Sequence, residues 1–133
     1  MALLLDTLKA FNAGDLETCL ARMTPDFAMH YAELPEPLHG KEVWLQGAEM
    51  MRRAFPDLEA RVDDVVAAED RVALRLTFTG THEGDFQLGE FQTLPATGRT
   101  IHYISHEFYR ASNGLIAEEW ICSDTASLLS QLS

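Results

Sequence analysis

The chain has 133 residues, of which 47% are hydrophobic, so it can bury an apolar core without a disulfide or a metal ion to hold it together. Ten basic residues against twenty-one acidic ones give a formal net charge of -11, the wrong sign for binding a phosphate backbone. Composition therefore excludes nucleic acid and anionic membranes from the expected partners.

The cysteines and the amino terminus both indicate a cytoplasmic protein. Cys19 and Cys122 lie in apolar contexts without metal-type spacing, which predicts two reduced core cysteines; one disulfide between them is the alternative. The apolar run at residues 3–5 lacks a basic lead and is interrupted at Asp6, so neither a signal peptide nor a membrane span is predicted. We expect one domain over residues 1–133.

The spacing of apolar residues predicts two helices at the amino terminus. The first ends at Gly14, and Asp15 is placed to cap the second, which ends at Pro25. A short strand over residues 27–31 follows, and then a long helix over residues 43–55. These elements are predicted to pack on one side of a sheet.

The second half of the chain is predicted to form antiparallel strands joined by hairpins. Period-two alternation predicts strands over residues 58–68 and 72–82, with a bulge near Asp63. A strand over residues 99–110 has polar groups on both faces, so either one face lines a cavity or the strand is a solvated edge. Asn113, followed by glycine, predicts a tight turn into the last strand. The sum is an α+β layout.

The last strand, over residues 114–124, ends in a candidate catalytic carboxylate. Alternation places Asp124 on the same face as Trp120 and Cys122. Desolvation in an apolar setting raises the pKa of a carboxyl group, and a raised carboxyl group can act as a base near neutral pH. The alternative is that Asp124 caps a helix over residues 125–132.

Motifs for metal, nucleotide and nucleophile chemistry are missing from the sequence. There is no HxH or HExxH spacing, and the five histidines are scattered along the chain. GxGxxG, phosphate-loop and GxSxG motifs are also missing. The sequence predicts acid–base chemistry without a metal or a cofactor.

Several short segments together resemble the SnoaL-like polyketide cyclases of the nuclear transport factor 2-like superfamily. They keep the order and spacing of that family over most of the chain. The segments are FNAGDLE at 11–17, PDFAMH at 25–30, HG at 39–40, FPDL at 55–58, GTHEG at 80–84, PATGR at 95–99 and IAEEW at 116–120, followed by Asp124.

The resemblance implies a fold, an oligomer and a site. The fold would be a conical α+β barrel, a curved and mostly antiparallel sheet packed against N-terminal helices around a deep apolar pocket, and the protein would be a homodimer. Asp124 matches the acid–base aspartate of the family. His30, His82, His106 and Trp120 fall in motifs that line the pocket in such proteins, which implies that they bind substrate.

These expectations combine into a cofactor-free polyketide (ester) cyclase. It would close a ring by intramolecular aldol reaction of a small, hydrophobic, polyketide-like substrate, with Asp124 moving the proton. The alternatives are isomerisation, dehydration or epoxide hydrolysis of a small apolar molecule, or a non-catalytic domain for ligand binding or assembly. The dimer interface is expected on the outer face of the sheet, around Arg75, Thr77 and Thr79.

Overall fold

The computed structural model describes residues 1–88 and 92–133, which form helices packed on a curved sheet. Within these residues no helix is long and apolar enough to cross a membrane. The four helices of the described chain are α1 (Ala2–Asn12), α2 (Leu16–Ala21), α3 (Lys41–Ala54) and α4 (Thr125–Gln131). Its eight strands are β1 (Met23–Tyr31), β2 (Leu38–His39), β3 (Glu59–Ala68), β4 (Arg71–Thr81), β5 (Phe86–Leu88), β6 (Gln92–Leu94), β7 (Thr100–Ser112) and β8 (Leu115–Ser123).

The main sheet of the described residues has the strand order β2-β1-β8-β7-β4-β3. Neighbouring strands are antiparallel, except that β1 runs parallel to β8. The strands β5 and β6 form a separate antiparallel hairpin. The predicted α+β class with a mostly antiparallel sheet is confirmed. The parallel pair was not predicted, because alternation in one strand carries no information on the direction of its neighbour.

The amino-terminal helices differ from the prediction at the end of α2. Asp15 caps α2 as expected, since its side chain accepts a hydrogen bond from the Thr18 backbone N–H at 3.2 Å. The helix stops earlier than predicted, and Met23 opens β1 instead of continuing the helical face. Pro25 lies inside β1, where the register with β8 shifts between Met23 and Ala28. A proline is tolerated in a strand at such an irregularity because no ladder hydrogen bond is lost.

The hairpins between the later strands form as predicted. The bulge expected near Asp63 is present, because the register between β3 and β4 shifts between Val62 and Asp64. Asn113 and Gly114 both have positive φ, 51° and 77°, as a tight hairpin turn between β7 and β8 requires. These turns fix which residues of β4, β7 and β8 face the helices.

The core lies between the concave face of the sheet and the helices. Each of its two clusters consists mainly of large side chains that are almost fully buried. Burial of one such side chain contributes about 1.5–3 kcal/mol to folding. The larger cluster comprises Leu4, Met23, Phe27, Met29, Val72, Leu74, Leu76, Tyr109 and Ile116. The smaller one comprises Ala54, Phe55, Leu58, Phe86, Ile101, Tyr103, Leu128 and Leu132.

The two cysteines are free thiols in different environments. Cys19 is buried, and its Sγ donates to the Thr7 carbonyl oxygen at 3.5 Å. Burial raises the pKa of Cys19 to about 11, which keeps the thiol protonated. Cys122 is exposed on the outer face of β8. The prediction that both cysteines lie in the core is wrong for Cys122, because alternation along β8 turns its side chain away from the helices.

The connection over residues 83–98 contains β5 and β6. Residues 89–91, which join these two strands, lie outside the described residues. Phe86 on β5 is buried and contacts the cavity described below. The segment therefore contributes directly to the cavity wall.

Candidate active site

A cavity of about 700 Å³ lies between the helices and the concave face of the sheet. Its volume is in the range of small-molecule sites. The lining is mainly apolar, with side chains from α1, α3 and the central strands. Its larger apolar members include Leu8, Phe11, Met29, Trp44, Met51 and Phe78. The deep apolar pocket implied by the family resemblance is therefore present.

Polar side chains face this cavity from two neighbouring strands. Buried and exposed residues alternate along β7, so Ser105, Glu107 and Tyr109 lie on the concave face. β8 adds Glu119, because its register pairs Glu119 with Tyr109. Glu107 is 6% exposed and Glu119 is 4% exposed. Two carboxyl groups are thus buried as diagonal neighbours across β7 and β8.

Hydroxyl groups hold the Glu107 side chain in place. Ser105 Oγ donates to Glu107 Oε2 at 2.7 Å, and the Tyr109 hydroxyl donates to Glu107 Oε1. The Ser105 and Ser123 hydroxyls form a further hydrogen bond at 2.8 Å. Both Glu107 oxygens act as acceptors, which is the arrangement that an ionised carboxylate takes. Lone pairs remain on both oxygens to accept a proton from a bound molecule.

Glu119 differs from Glu107 in how well the protein satisfies its hydrogen-bonding capacity. Its Oε1 atom is buried and has no hydrogen-bond partner within residues 1–88 and 92–133. Burial raises the pKa of Glu119 well above the ordinary glutamate value, and the negative charge of Glu107 raises it further. A neutral carboxyl group can donate a hydrogen bond, whereas an ionised one only accepts. Glu119 is therefore a candidate proton donor that faces the cavity.

Tyrosines complete the polar part of the wall. Burial raises the pKa of Tyr31 to about 12, and nearby carboxylates add to this shift. Burial, followed by the charge of Glu107, also raises the pKa values of Tyr103 and Tyr109. These phenols stay protonated over the physiological range and can donate hydrogen bonds to a ligand.

Asp124 lies outside the cavity lining. β8 ends at Ser123, and Asp124 Oδ1 accepts a hydrogen bond from the Ser127 backbone N–H at 3.1 Å as the N-cap of α4. The side chain is exposed. The predicted burial beside Trp120 is wrong, because the backbone turns into α4 after Ser123 instead of extending the strand. The capping interpretation is confirmed, and the role of Asp124 as the base stays a prediction without support from desolvation.

His30, His106 and Trp120 lie on the outer face of the sheet, opposite the cavity. The His30 and Trp120 rings stack with centroids 5.1 Å apart, and His30 Nε2 lies 2.7 Å from Glu118 Oε2. With Phe108 they line a separate outer groove of about 400 Å³. The expectation that they share the deep pocket is not met, because strand alternation points them away from the helices.

The outer face has features of the interface implied by the family resemblance. Phe108 is 56% exposed and Ile104 is 48% exposed. The register of β4 with β7 places the predicted interface residues Arg75, Thr77 and Thr79 on this same face. The homodimer stays a prediction.

His82 is buried, as its strand parity predicts, but it serves the fold. The Thr97 backbone N–H donates to His82 Nδ1 at 3.2 Å, and the Thr97 hydroxyl lies 3.0 Å from the same atom. The ring packs on Phe55 with centroids 5.4 Å apart. His82 is not among the residues that line the cavity in the described chain. It ties the segment before β7 to the end of β4.

The five histidines are dispersed over the structure. His39 and His102 are exposed, His30 and His106 lie on the outer face, and His82 is buried away from the cavity. Over residues 1–88 and 92–133, no three His, Cys, Asp or Glu side chains are close enough together to hold a metal ion. The polar groups that face the cavity are mainly carboxyl and hydroxyl groups.

Reasoning from the sequence missed Glu107 and Glu119 as site residues. The usable signal was a glutamate on the same face as mainly apolar side chains, on each of two strands joined by a hairpin. Glu119 shares its face of β8 with Ala117 and Ile121, and Glu107 shares its face of β7 with the buried Ser105 and Tyr109. A charged residue in such a face is costly unless it has a function or a partner.

The family model of the SnoaL-like polyketide cyclases matches residues 2–132. The chain belongs to the SnoaL-like polyketide cyclase family. No match is found among curated proteins. The resemblance proposed from the short motifs is thus confirmed over nearly the whole chain.

Solved structures of other proteins are similar to this chain in fold. AclR, a candidate hydroxylase from Streptomyces galilaeus, is 31% identical with a TM-score of 0.85, covering 98% of this chain and 78% of AclR. IdmH, a candidate polyketide cyclase from Streptomyces antibioticus, is 34% identical with a TM-score of 0.81, covering 98% and 96%. TsrD from Streptomyces laurentii is 26% identical with a TM-score of 0.81, covering 99% and 92%. AclR and IdmH carry different reaction names, so similarity to them does not define the reaction of this chain.

The raised pKa of Glu119 predicts how stability depends on pH. Below the ordinary glutamate pKa of about 4.3, both the folded and the unfolded chains hold the proton. As pH rises, the unfolded chain loses it first, so the folded state loses stability until its own raised pKa is passed. Glu119→Gln removes this loss, and each unit of pKa shift corresponds to about 1.4 kcal/mol.

Urea unfolding at about pH 4.5 and about pH 7.5 measures the free energy of unfolding of the wild type and of Glu119→Gln. These two pH values bracket the range in which a carboxyl group with a raised pKa stays protonated. The variant should gain stability relative to the wild type at the higher pH. Parallel changes in the two proteins would contradict the raised pKa of Glu119.

Proposed function

We propose that the protein is an acid–base enzyme of the polyketide cyclase type that closes a ring in a small apolar molecule by intramolecular aldol reaction. The observation that carries this proposal is the pair of buried carboxyl groups, Glu107 and Glu119, facing a largely apolar cavity. Enzymes separate acid and base roles by giving two carboxyl groups different environments. Here Glu107 accepts hydrogen bonds at both oxygens, whereas one Glu119 oxygen has no partner in the described chain.

In the proposed reaction Glu107 is the base. Its carboxylate takes the proton from a carbon between two carbonyl groups of the substrate, which breaks the C–H bond and leaves an enolate. The enolate carbon attacks a second carbonyl group of the same molecule, which forms the new C–C bond and an alkoxide. Protonated Glu107 then returns the proton to the alkoxide, so the enzyme ends in its starting state. The hydrogen bonds from Ser105 and Tyr109 hold the carboxylate in one orientation for both transfers.

Glu119 is the proposed hydrogen-bond donor to the developing enolate oxygen. Its raised pKa favours the neutral form, which has an O–H group to donate. Donors in a site without bulk water stabilise developing negative charge more strongly than they do in water. Ketosteroid isomerase uses the same principle, because a carboxyl group kept neutral by an apolar site donates a hydrogen bond to an oxyanion there.

The shape of the cavity supports an apolar substrate that folds on itself. Phe78 and Tyr103 stack with ring centroids 5.1 Å apart, and Phe11 packs edge-on against both Phe78 and Trp44. Such a wall offers flat apolar surface for a polyketide-like chain. Holding that chain in a reactive conformation lowers the barrier by removing conformational freedom before the reaction.

The same pair of carboxyl groups could serve isomerisation, dehydration or epoxide hydrolysis. These reactions share the first proton transfer with ring closure and differ in the product. A domain for ligand binding or assembly would need no proton transfer at all. The first test must therefore detect proton abstraction, and the second must identify the product.

Incubation of the protein with a panel of 1,3-dicarbonyl compounds in deuterated water tests proton abstraction. Nuclear magnetic resonance (NMR) should show faster loss of the carbon-bound proton with the wild type than in buffer, because a placed base accelerates proton transfer by about 10²–10⁴. Product analysis with tethered dicarbonyl substrates then separates cyclisation from isomerisation or dehydration. Exchange at the buffer rate over the whole panel would overturn the acid–base proposal.

A further inference from the structure

The charges that line the cavity all have one sign within the described chain. Glu33, Glu107 and Glu119 contribute carboxyl groups, and no lysine, arginine or histidine of residues 1–88 and 92–133 lines the same space. Ion pairs that balance carboxylates elsewhere, such as Arg110 with Glu118, lie on the outer face. The cavity therefore has no positive charge of its own with which to hold an anion.

Within the described residues, Glu119 places a hydrogen-bonding atom without a partner on the cavity wall. Glu119 is only 4% exposed and faces the cavity. Its Oε1 atom has no hydrogen-bond partner among the residues that the structure describes. A buried polar atom without a partner destabilises the folded state. A ligand that donates a hydrogen bond to Oε1 would recover part of this cost.

The three carboxyl groups act on one region of the cavity. Tyr31 lines the cavity, and its pKa is raised by burial and then by Glu119, Glu107 and Glu33. Glu33 is exposed, on the turn after β1, whereas Glu107 and Glu119 are buried. Glu33 and Glu107 thus act on the region around Tyr31 from the exposed turn and from the buried strand.

We propose that the cavity selects its substrate by charge: it takes an apolar molecule that carries no negative charge, and among ligands of equal shape it binds the one with a protonated amine most tightly. This inference rests on the proposed function, since it takes the same cavity as the substrate site. It adds the chemical class of the substrate, which the aldol mechanism does not specify.

The physical reason is the low dielectric of the site. An anion entering this cavity loses its hydration and meets the ionised Glu107 carboxylate, and both effects oppose binding. A neutral hydroxyl or carbonyl group avoids the repulsion. A protonated amine donates up to three hydrogen bonds and is attracted by the Glu107 carboxylate, and the indole of Trp44 in the cavity lining adds a favourable surface for a cation.

Three ligands with one ring system test this selection: 2-(2-naphthyl)ethylamine, 2-(2-naphthyl)ethanol and 2-naphthylacetate. Binding to the wild-type protein is measured by isothermal titration calorimetry near neutral pH. The amine is expected to bind about 10-fold tighter than the alcohol, and the acetate about 10-fold weaker, where 10-fold corresponds to about 1.4 kcal/mol. The proposal is overturned if the acetate binds as tightly as the alcohol, if the amine binds no more tightly than the alcohol, or if none of the ligands binds.

Two variants with the same change of side chain locate the selection. Glu107→Gln should narrow the difference in affinity between the amine and the alcohol several-fold, because it removes the ionised carboxylate of the pair, whereas Glu119 is held in its neutral form. Glu49→Gln removes an exposed carboxylate from α3, outside the cavity lining, and should leave the ranking of the ligands unchanged. An equal effect of both substitutions would assign the preference to the overall charge of the protein and overturn the proposal.

The binding series and the proton-exchange assay fail independently. If the ligands bind in the expected order but dicarbonyl compounds exchange at the buffer rate, the charge selection holds and the catalytic proposal fails. If exchange is catalysed while naphthylacetate binds as tightly as the alcohol, the catalytic proposal holds and the proposed charge selection fails.

Discussion

Glu107→Gln is expected to lower the rate of substrate deprotonation by about 10²–10⁴-fold, the contribution typical of a placed general base. Glutamine keeps the volume of glutamate and can still accept a hydrogen bond at its carbonyl oxygen, but it cannot take up a proton at neutral pH. Glu107 also accepts hydrogen bonds from the Ser105 and Tyr109 hydroxyls, and in the variant only these neighbouring hydroxyl groups should reorient. The measurement is the exchange rate in deuterated water at saturating dicarbonyl compound.

Asp124→Asn is the matched control for this prediction. Asparagine is as good an N-cap as aspartate, so the hydrogen bond from the Ser127 N–H and the start of α4 should be retained. The variant should exchange protons at close to the wild-type rate. A large loss in Asp124→Asn with a small loss in Glu107→Gln would instead support the aspartate implied by the family resemblance.

Gly84→Ala is expected to destabilise the fold by about 2–3 kcal/mol, as overpacking at a rigid contact does. A Cβ at this position would lie 2.0 Å from the Arg53 carbonyl oxygen and 3.0 Å from its carbon. Both are backbone atoms, so the clash can be relieved only by moving the end of α3 or the chain after β4. The Gly84 N–H also donates to the Ala54 carbonyl oxygen at 3.1 Å, and this hydrogen bond would be strained.

Gly47→Ala gives the comparison for this stability measurement. Gly47 lies inside α3, and the nearest atom to an added Cβ is the Tyr31 hydroxyl oxygen at 3.8 Å, an ordinary contact. Alanine should stabilise α3 by about 0.5–1 kcal/mol because glycine is a poor helix former. Urea unfolding of both variants checks the pair, and equal stability of Gly84→Ala and the wild type would show that the close approach to Arg53 is easily relaxed.

Local chemistry in the sequence was sufficient to predict much of the fold. Alternation along residues 72–78 correctly assigned the inner face of β4, and the Asn113 turn correctly joined β7 to β8. The cap at Asp15 and the bulge near Asp63 also formed as expected. Each of these features depends on residues close together in the chain, so one sequence contains the information. The parallel pairing of β1 with β8 is a contact between the two ends of the chain, and no local pattern encodes it.

The candidate site was harder to predict because it depends on strand ends and on register. Asp124 follows the period of β8 in the sequence, but the strand stops one residue earlier and α4 begins. The partnership of Glu107 with Glu119 requires the β7–β8 register, which also contains an irregularity after Arg110. The cost of burying Glu119 becomes visible only when the surrounding side chains are in place.

A direct test of the paired carboxyl groups is a ¹³C NMR titration of the glutamate side-chain carboxyl carbons, with Glu107→Gln and Glu119→Gln used for assignment. In the ligand-free wild type, Glu119 is expected to keep its proton at about pH 6, where an exposed glutamate of pKa about 4.3 is ionised. In Glu107→Gln the Glu119 titration should move to lower pH, because the charge that helps to raise its pKa is gone. Titration of Glu119 near the ordinary value, unaffected by Glu107→Gln, would contradict the assignment of these two residues as an acid–base pair.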